Sequence, residues 1–231
     1  MSSRLLIIAV IPGIALALLV YLTDRYDREP IGLLVKVFIL GALSVIPAGI
    51  IESVLTSINI FPGLVGIVIT AFIIAGLTEE FVKREVVLRT AFRSKAFDEK
   101  LDGIVYAAFA ALGFATAENI MYVVFRFAAN PYIGIYRGIF SVPAHMLFAV
   151  TMGYYLSLAK FSYTEYDYRM FLKKALTIPA VLHGVFNFIL MANIPIMLIA
   201  FIPFVVYLWI ANLRKLNEYY VQSKTWFEKN R

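Results

Sequence analysis

Seven stretches, each about 20 residues long and almost free of charge, leave this chain few ways to fold. A segment of that length spans a bilayer as an α-helix, the form that pairs its own backbone polar groups in hydrocarbon. The stretches fall at 4–22, 31–51, 61–82, 102–126, 135–160, 173–192 and 195–213, joined by short connections. Hydrophobic residues make up 61% of the 231 and charged residues 16%. A soluble domain carries roughly 45–50% and about 25%, and here the excess covers the whole length. The expected fold is therefore an all-α polytopic membrane protein with about seven transmembrane helices, residues 1–231 forming one domain. The first stretch, 5–22, has no clear small-residue cleavage pattern and is expected to stay as a helix rather than leave as a signal peptide.

Lysine and arginine distribution sets the expected orientation. Seventeen lie in 23–30, 83–100, 160–174 and 214–231; three lie in the connections of the other side and at the first residues. The N-terminus is expected outside and the C-terminus in the cytoplasm of a bacterial plasma membrane. The net charge of +6 does not point to nucleic acid, because the basic residues sit between spans. The lipid bilayer is the partner that composition implies, and 83–100 can also meet anionic headgroups. With no cysteine, a disulfide framework, a thiolate metal site and a cysteine nucleophile are all excluded.

An ionisable side chain near the bilayer centre costs at least ~2.5–3.5 kcal/mol, so one that is kept there marks function by default. Arg4, Lys36, Glu52, Arg126, Arg137 and Lys160 fall near span ends, where long side chains reach the interface, and are expected to be topological or structural. Asp102 opens a helix, where an acid suits the dipole. Glu79 and Glu80 in span 3, Glu118 in span 4, His145 in span 5 and His183 in span 6 resist that reading. Asn187 follows His183 by one turn on the same face. Taken singly, each has a bland reading. A buried histidine or asparagine can be an interhelical hydrogen bond. Glu79 and Glu80 have Lys83 and Arg84 four residues on, as at a solvated helix end. Together, on four consecutive spans, they can meet in one cavity and activate water.

These residues also carry a family likeness. Glu79-Glu80-Phe81-Val82-Lys83 resembles the EExxK motif of the PrsW intramembrane proteases, and Phe114 to Glu118-Asn119 resembles their FxxxEN motif. His145 fits their lone histidine, and His183 the histidine of the last motif. That motif is HxxxD in the family and His183-Gly184-Val185-Phe186-Asn187 here. HxxxN is the form of the wider CAAX-protease and bacteriocin-processing superfamily, whose EExxxR is met through Glu79 and Arg84. That superfamily's second motif is FxxxH, where this chain has Glu118. A carboxylate role at 187, such as metal binding, is weakened accordingly. The resemblance implies an endopeptidase that makes the first, extracytoplasmic cut in a single-pass substrate such as a membrane-anchored anti-sigma factor, leading to release of a stress-response sigma factor. It implies Glu79 as the water-activating base, with Glu118 and His145 assisting and Glu80 supporting. His183 and Asn187 would stabilise the oxyanion, with Asn119 as a further support.

Two chemistries suit that set. A glutamic route needs no cofactor and is favoured by the HxxxN form. A zinc route would use His145, His183 and one glutamate, Glu118 being the candidate. The rival functions are a proton- or ion-coupled transporter, a CAAX-type processing protease and a non-enzymatic scaffold. No inverted repeat or matched pair of broken helices supports transport. A retinal-type receptor is disfavoured because the last span lacks lysine. Counted at 1.5 Å per residue, Glu79 lies about 27 Å along span 3 while His145 lies only about 15 Å from the outer side. Convergence therefore needs a displaced helix 3 or a helix 4 that starts below the membrane. The outer connection 127–137, with Asn130-Pro131 and Gly134, is expected to be irregular and to cover the outer access to the cavity.

Overall fold

The computed structural model describes residues 2–230, and no strand occurs among them. Among these residues, seven helices are long and apolar enough to cross a membrane: α1 Ser3–Thr23, α2 Ile31–Ile58, α3 Gly63–Arg93, α4 Lys100–Arg126, α5 Tyr132–Lys160, α6 Glu165–Ala192 and α7 Pro195–Lys229. The expected architecture is thus the observed one, and most corrections concern helix ends. Helix α2 continues to Ile58, so Glu52 lies well inside it rather than at its edge. A single turn residue, Ser44, divides α2 into Ile31–Leu43 and Val45–Ile58. The stretch 127–137 is not an irregular loop. Only 127–130 lies outside helix, and a helical turn runs from Pro131 to Tyr136. Proline at the first helical position loses no hydrogen bond and its fixed φ suits the helix, so Asn130-Pro131 starts a helix here.

Helix α4 is the axis of the bundle. Leu101 to Thr116 are buried without interruption, and α4 packs on α1, α2 and α5. Its small residues permit this. Gly103 of α4 and Gly153 of α5 meet backbone to backbone, and a Cβ on Gly153 would strike the Gly103 carbonyl. Without a hydrophobic driving force between helices in lipid, such close approach is what association rests on. Buried area falls toward the outside of the bundle, where Ile46, Ile50, Val54 and Ile58 on the second half of α2 are exposed, as suits side chains that face lipid.

Three helices contain wide π turns: Ile69–Leu77 in α3, Met121–Arg126 in α4 and Arg137–Ser141 in α5. A π turn replaces i→i+4 bonding by i→i+5 and turns the following residues onto another face, and such turns gather at functional sites. The one in α3 ends next to Thr78 and the glutamates. Just before it closes, Gly76 comes against the backbone of Ala180 and Gly184 in α6. That contact draws Glu79 and Glu80 beside His183. The counted depths separated these groups because they assumed that spans 3 and 5 start at one level. Instead α3 runs 31 residues, longer than one bilayer crossing needs, and its middle reaches the level of His145.

Candidate active site

Helices α2 to α6 enclose a cavity of ≈ 620 Å³, lined among others by Glu52, Glu79, Glu118, Arg137, His145, His183 and Asn187. Behind two of these lining residues, Glu79 and His145, is Lys83, fully buried. Its Nζ lies 2.8 Å from Glu80 Oε1, 3.1 Å from Glu79 Oε2 and 3.0 Å from His145 Nδ1. It also stands 4.2 Å from the ring centre of Phe114, a cation–π contact strengthened by exclusion of water. Spacing alone accounts for the carboxylate contacts, since residues three and four apart share a helix face. Phe114 and His145, which sequence spacing cannot supply, turn this pair of contacts into a closed nest.

The hydrogen bonds fix the histidine tautomers. Lysine can only donate, so His145 Nδ1 accepts, and its Nε2–H donates to Glu118 Oε2 at 3.2 Å. His183 Nδ1 lies 3.0 Å from Glu80 Oε1 and donates to it, which leaves His183 Nε2 as an acceptor with no hydrogen bond among the described residues. The rings of His145 and His183 stand perpendicular with centroids 5.2 Å apart. His183 is also stacked on Phe148 at 5.0 Å, which sets its plane.

At the other end, Arg137 Nη2 donates to Glu118 Oε2 at 2.7 Å while its Nε donates to Asn119 Oδ1 at 3.2 Å. Asn119 in turn donates to the Ala9 carbonyl of α1 at 3.0 Å. One polar chain therefore runs from His183 through Glu80, Lys83, His145, Glu118 and Arg137 to α1. One acceptor in it is left over, since Glu80 Oε2 is buried without a partner.

All five ionisable residues singled out from sequence lie in this network, and Glu79 Oε2 is 4.0 Å from His145 Nδ1. Asn187 lines the same cavity. Asn119 is committed to α1 and Arg137 and does not line the cavity, which suits support of Glu118 rather than of an oxyanion. The expected pair Glu80–Arg84 is not formed: Glu80 turns inward to Lys83, while Arg84 bonds Glu85 and the Leu172 carbonyl. Three further residues belong to the cavity or its network: Arg137, Glu52 and Lys83. By sequence Arg137 and Glu52 fall near span ends, and Lys83 counts among the basic residues of the cytoplasmic side. The signal for Lys83 was present in its two acidic neighbours on one face. For Glu52 and Arg137 the signal depended on helices continuing past their apolar runs.

Two histidines and one carboxylate form a known catalytic zinc set. Glu79, His145 and His183 each offer a ligand atom, and these atoms lie within 4.8 Å of one another. Glu80 on His183 Nδ1 is the kind of outer partner that such a ligand commonly has. The residues thus fit a metal ion, with Lys83 competing for the same groups. The carboxylate of the trio is Glu79, where the sequence reading had Glu118; Glu118 Oε2 already faces Arg137 and His145.

Glutamates and histidines converging in a partly enclosed cavity within seven apolar helices make a candidate site for hydrolysis inside a membrane. Residues 29–211 match the sequence profile of the family described as PrsW family intramembrane metalloprotease, and the chain belongs to that family. Protease PrsW of Clostridioides difficile (strain 630) is 41% identical over 232 residues, covering 100% of this chain and 97% of that one. Protease PrsW of Bacillus subtilis (strain 168) is 37% identical over 204 residues, covering 88% and 90% respectively. No solved structure matches the chain. The protein is an intramembrane protease and a multi-pass membrane protein.

Proposed function

We propose that this protease works by a glutamic mechanism in which Glu79 takes the proton of the attacking water. The observation that supports it is the Lys83 ammonium held between Glu79, Glu80 and His145. It supplies the counter-charge that these groups need from within the chain. Glu79 has one edge on the cavity, while Glu80 is turned fully inward and serves to orient His183. Glu118 and Arg137 hold His145 from the far side, which keeps its Nδ1 aimed at the Lys83–Glu79 end. Asn187 lines the cavity one turn beyond His183 with an amide that has no hydrogen bond among the described residues, and is the donor for the oxyanion of the tetrahedral intermediate.

A second reading has its own observation, the ligand atoms of Glu79, His145 and His183 within 4.8 Å. On that reading these three would hold zinc, which would act as a Lewis acid toward the substrate carbonyl and its water. Chelation separates the two. The glutamic reading expects purified protein to keep cutting a single-pass transmembrane substrate after dialysis against a strong chelator. Loss of cleavage with chelator, restored by added zinc, would replace it with the metal reading.

The substrate we infer is a membrane-anchored single-pass protein, with an anti-sigma factor the class carried over from the motif resemblance. The N-terminus of the protease is taken as extracytoplasmic. The lysine and arginine bias supports this with Lys83 set aside as a site residue, since the remaining charges keep the same sign of asymmetry.

A further inference from the structure

Glu52 is the acid of the cavity that the network does not use. It projects from the second half of α2, one turn beyond Ala48, and Ala48 packs with Val45, Val82 and Phe114. This places the 45–48–52–56 face of α2 over the α3 segment that carries Glu79, and Glu52 lines the cavity together with Glu79 and Glu118. Glu79 and Glu80 are paired with Lys83, and Glu118 with Arg137. Glu52 has no ion pair or hydrogen bond among the described residues, and its Oε1 is buried without a partner. To hold a proton, each of the other three acids would have to give up an ion pair. Glu52 would give up nothing.

We propose that Glu52 is a catalytic residue, the general acid that protonates the leaving amine. The inference rests on the reading of Glu79 as base. Water gives one proton to Glu79 and its oxygen bonds to the scissile carbonyl carbon. As the tetrahedral intermediate collapses, the C–N bond breaks with its electron pair on nitrogen, and the Glu52 O–H proton passes to that nitrogen. A carboxylic acid and an amine result. The proton on Glu79 and the charge on Glu52 then cancel by transfer through cavity water, which restores both groups. An amide nitrogen is a poor leaving group unless protonated, so a second proton-bearing group opposite the base answers a need that the paired acids do not meet.

The experiment uses the full-length protease in detergent and a synthetic transmembrane peptide whose scissile bond has been mapped with the wild type. A second peptide replaces that amide by an ester, whose alkoxide leaves without prior protonation. Glu52→Gln should lower kcat on the amide by about 10²-fold with little change in KM, and lower ester cleavage only a few-fold. Glu52→Asp, which keeps an acid one methylene back, should recover part of the amide rate. Equal losses on amide and ester, or an aspartate no better than glutamine, would overturn the assignment. Glu79→Gln is run beside them and should lose both substrates. If it instead keeps both, the base reading fails, while the amide-to-ester ratio of the Glu52 variants still judges the acid.

Discussion

Lys83 sets the energetics of the site, because it is the cation that two buried carboxylates share. Removing one partner of a buried pair leaves an uncompensated charge and costs about 3–5 kcal/mol, whereas an isosteric change that leaves a pair intact costs much less. The two variants on this helix should therefore part company. Glu79→Gln keeps Lys83 paired with Glu80 at 2.8 Å, so it should fold with a near-normal unfolding midpoint and lose ~10²-fold or more in rate. Lys83→Met should lose stability first, with activity falling as a consequence. Thermal unfolding in detergent beside peptide cleavage tests this, and a Glu79→Gln protein with wild-type turnover would remove Glu79 as base. The five glutamate and histidine positions were legible in sequence only as a set, because each alone has a bland structural reading while ionisable groups on four consecutive spans can share one cavity. Lys83 was not. Whether a lysine four residues after a glutamate faces water or a protein interior is decided by Phe114 and His145, which reach it from other helices.

At the scale of helices, seven spans were legible from apolar length, while their ends and irregular turns were not. Glu52 ended the apparent second span because hydropathy falls at a charge; the helix ignores that charge and runs on to Ile58. The π turn of α3 has no local signature, since it depends on how Gly76 seats against α6. A further device joins elements at the opposite end of α4. Glu29, before α2, is buried and takes a hydrogen bond from Tyr106 of α4, while its own N–H donates to Asp24 Oδ2 at 3.0 Å. Burial pushes Glu29 up to about 7 and Asp24 up to about 6. An acid raised in the folded state holds its proton there while the unfolded chain has released it. Stability is therefore greatest below the usual carboxylate range and falls as pH rises toward 7, levelling off above it. The unfolding midpoint should drop between pH 5 and 7, and Glu29→Gln, which can still accept from Tyr106, should flatten that drop. Parallel slopes for wild type and variant would show that Glu29 does not carry it.

For the molecule as a whole, the question is which side of the substrate's span meets the site. The cavity is walled by α2 to α6 and reaches Arg126 and Arg137, on either side of the 127–130 turn. At the other end of the bundle lie the basic end of α3 with its connection to α4 and the buried acids Asp24 and Glu29. Exposed apolar residues on the second half of α2 face where lipid would be, and that half is separated from the first by the turn at Ser44. A substrate helix arriving laterally along this face would present the end of its span nearest the 127–130 turn. There its backbone must unwind before water can attack, since helical amides are bonded and shielded. On the proposed orientation, in which that turn lies outside, the scissile bond is expected in the extracytoplasmic half of the substrate's span. Mass-spectrometric mapping of both fragments of a single-pass reporter tests it. A cut near the substrate's cytoplasmic end would mean that the chain lies the other way up or that substrate reaches Glu79 past the basic face of α3, and a tag accessible only from outside, fused at the N-terminus, would tell these apart.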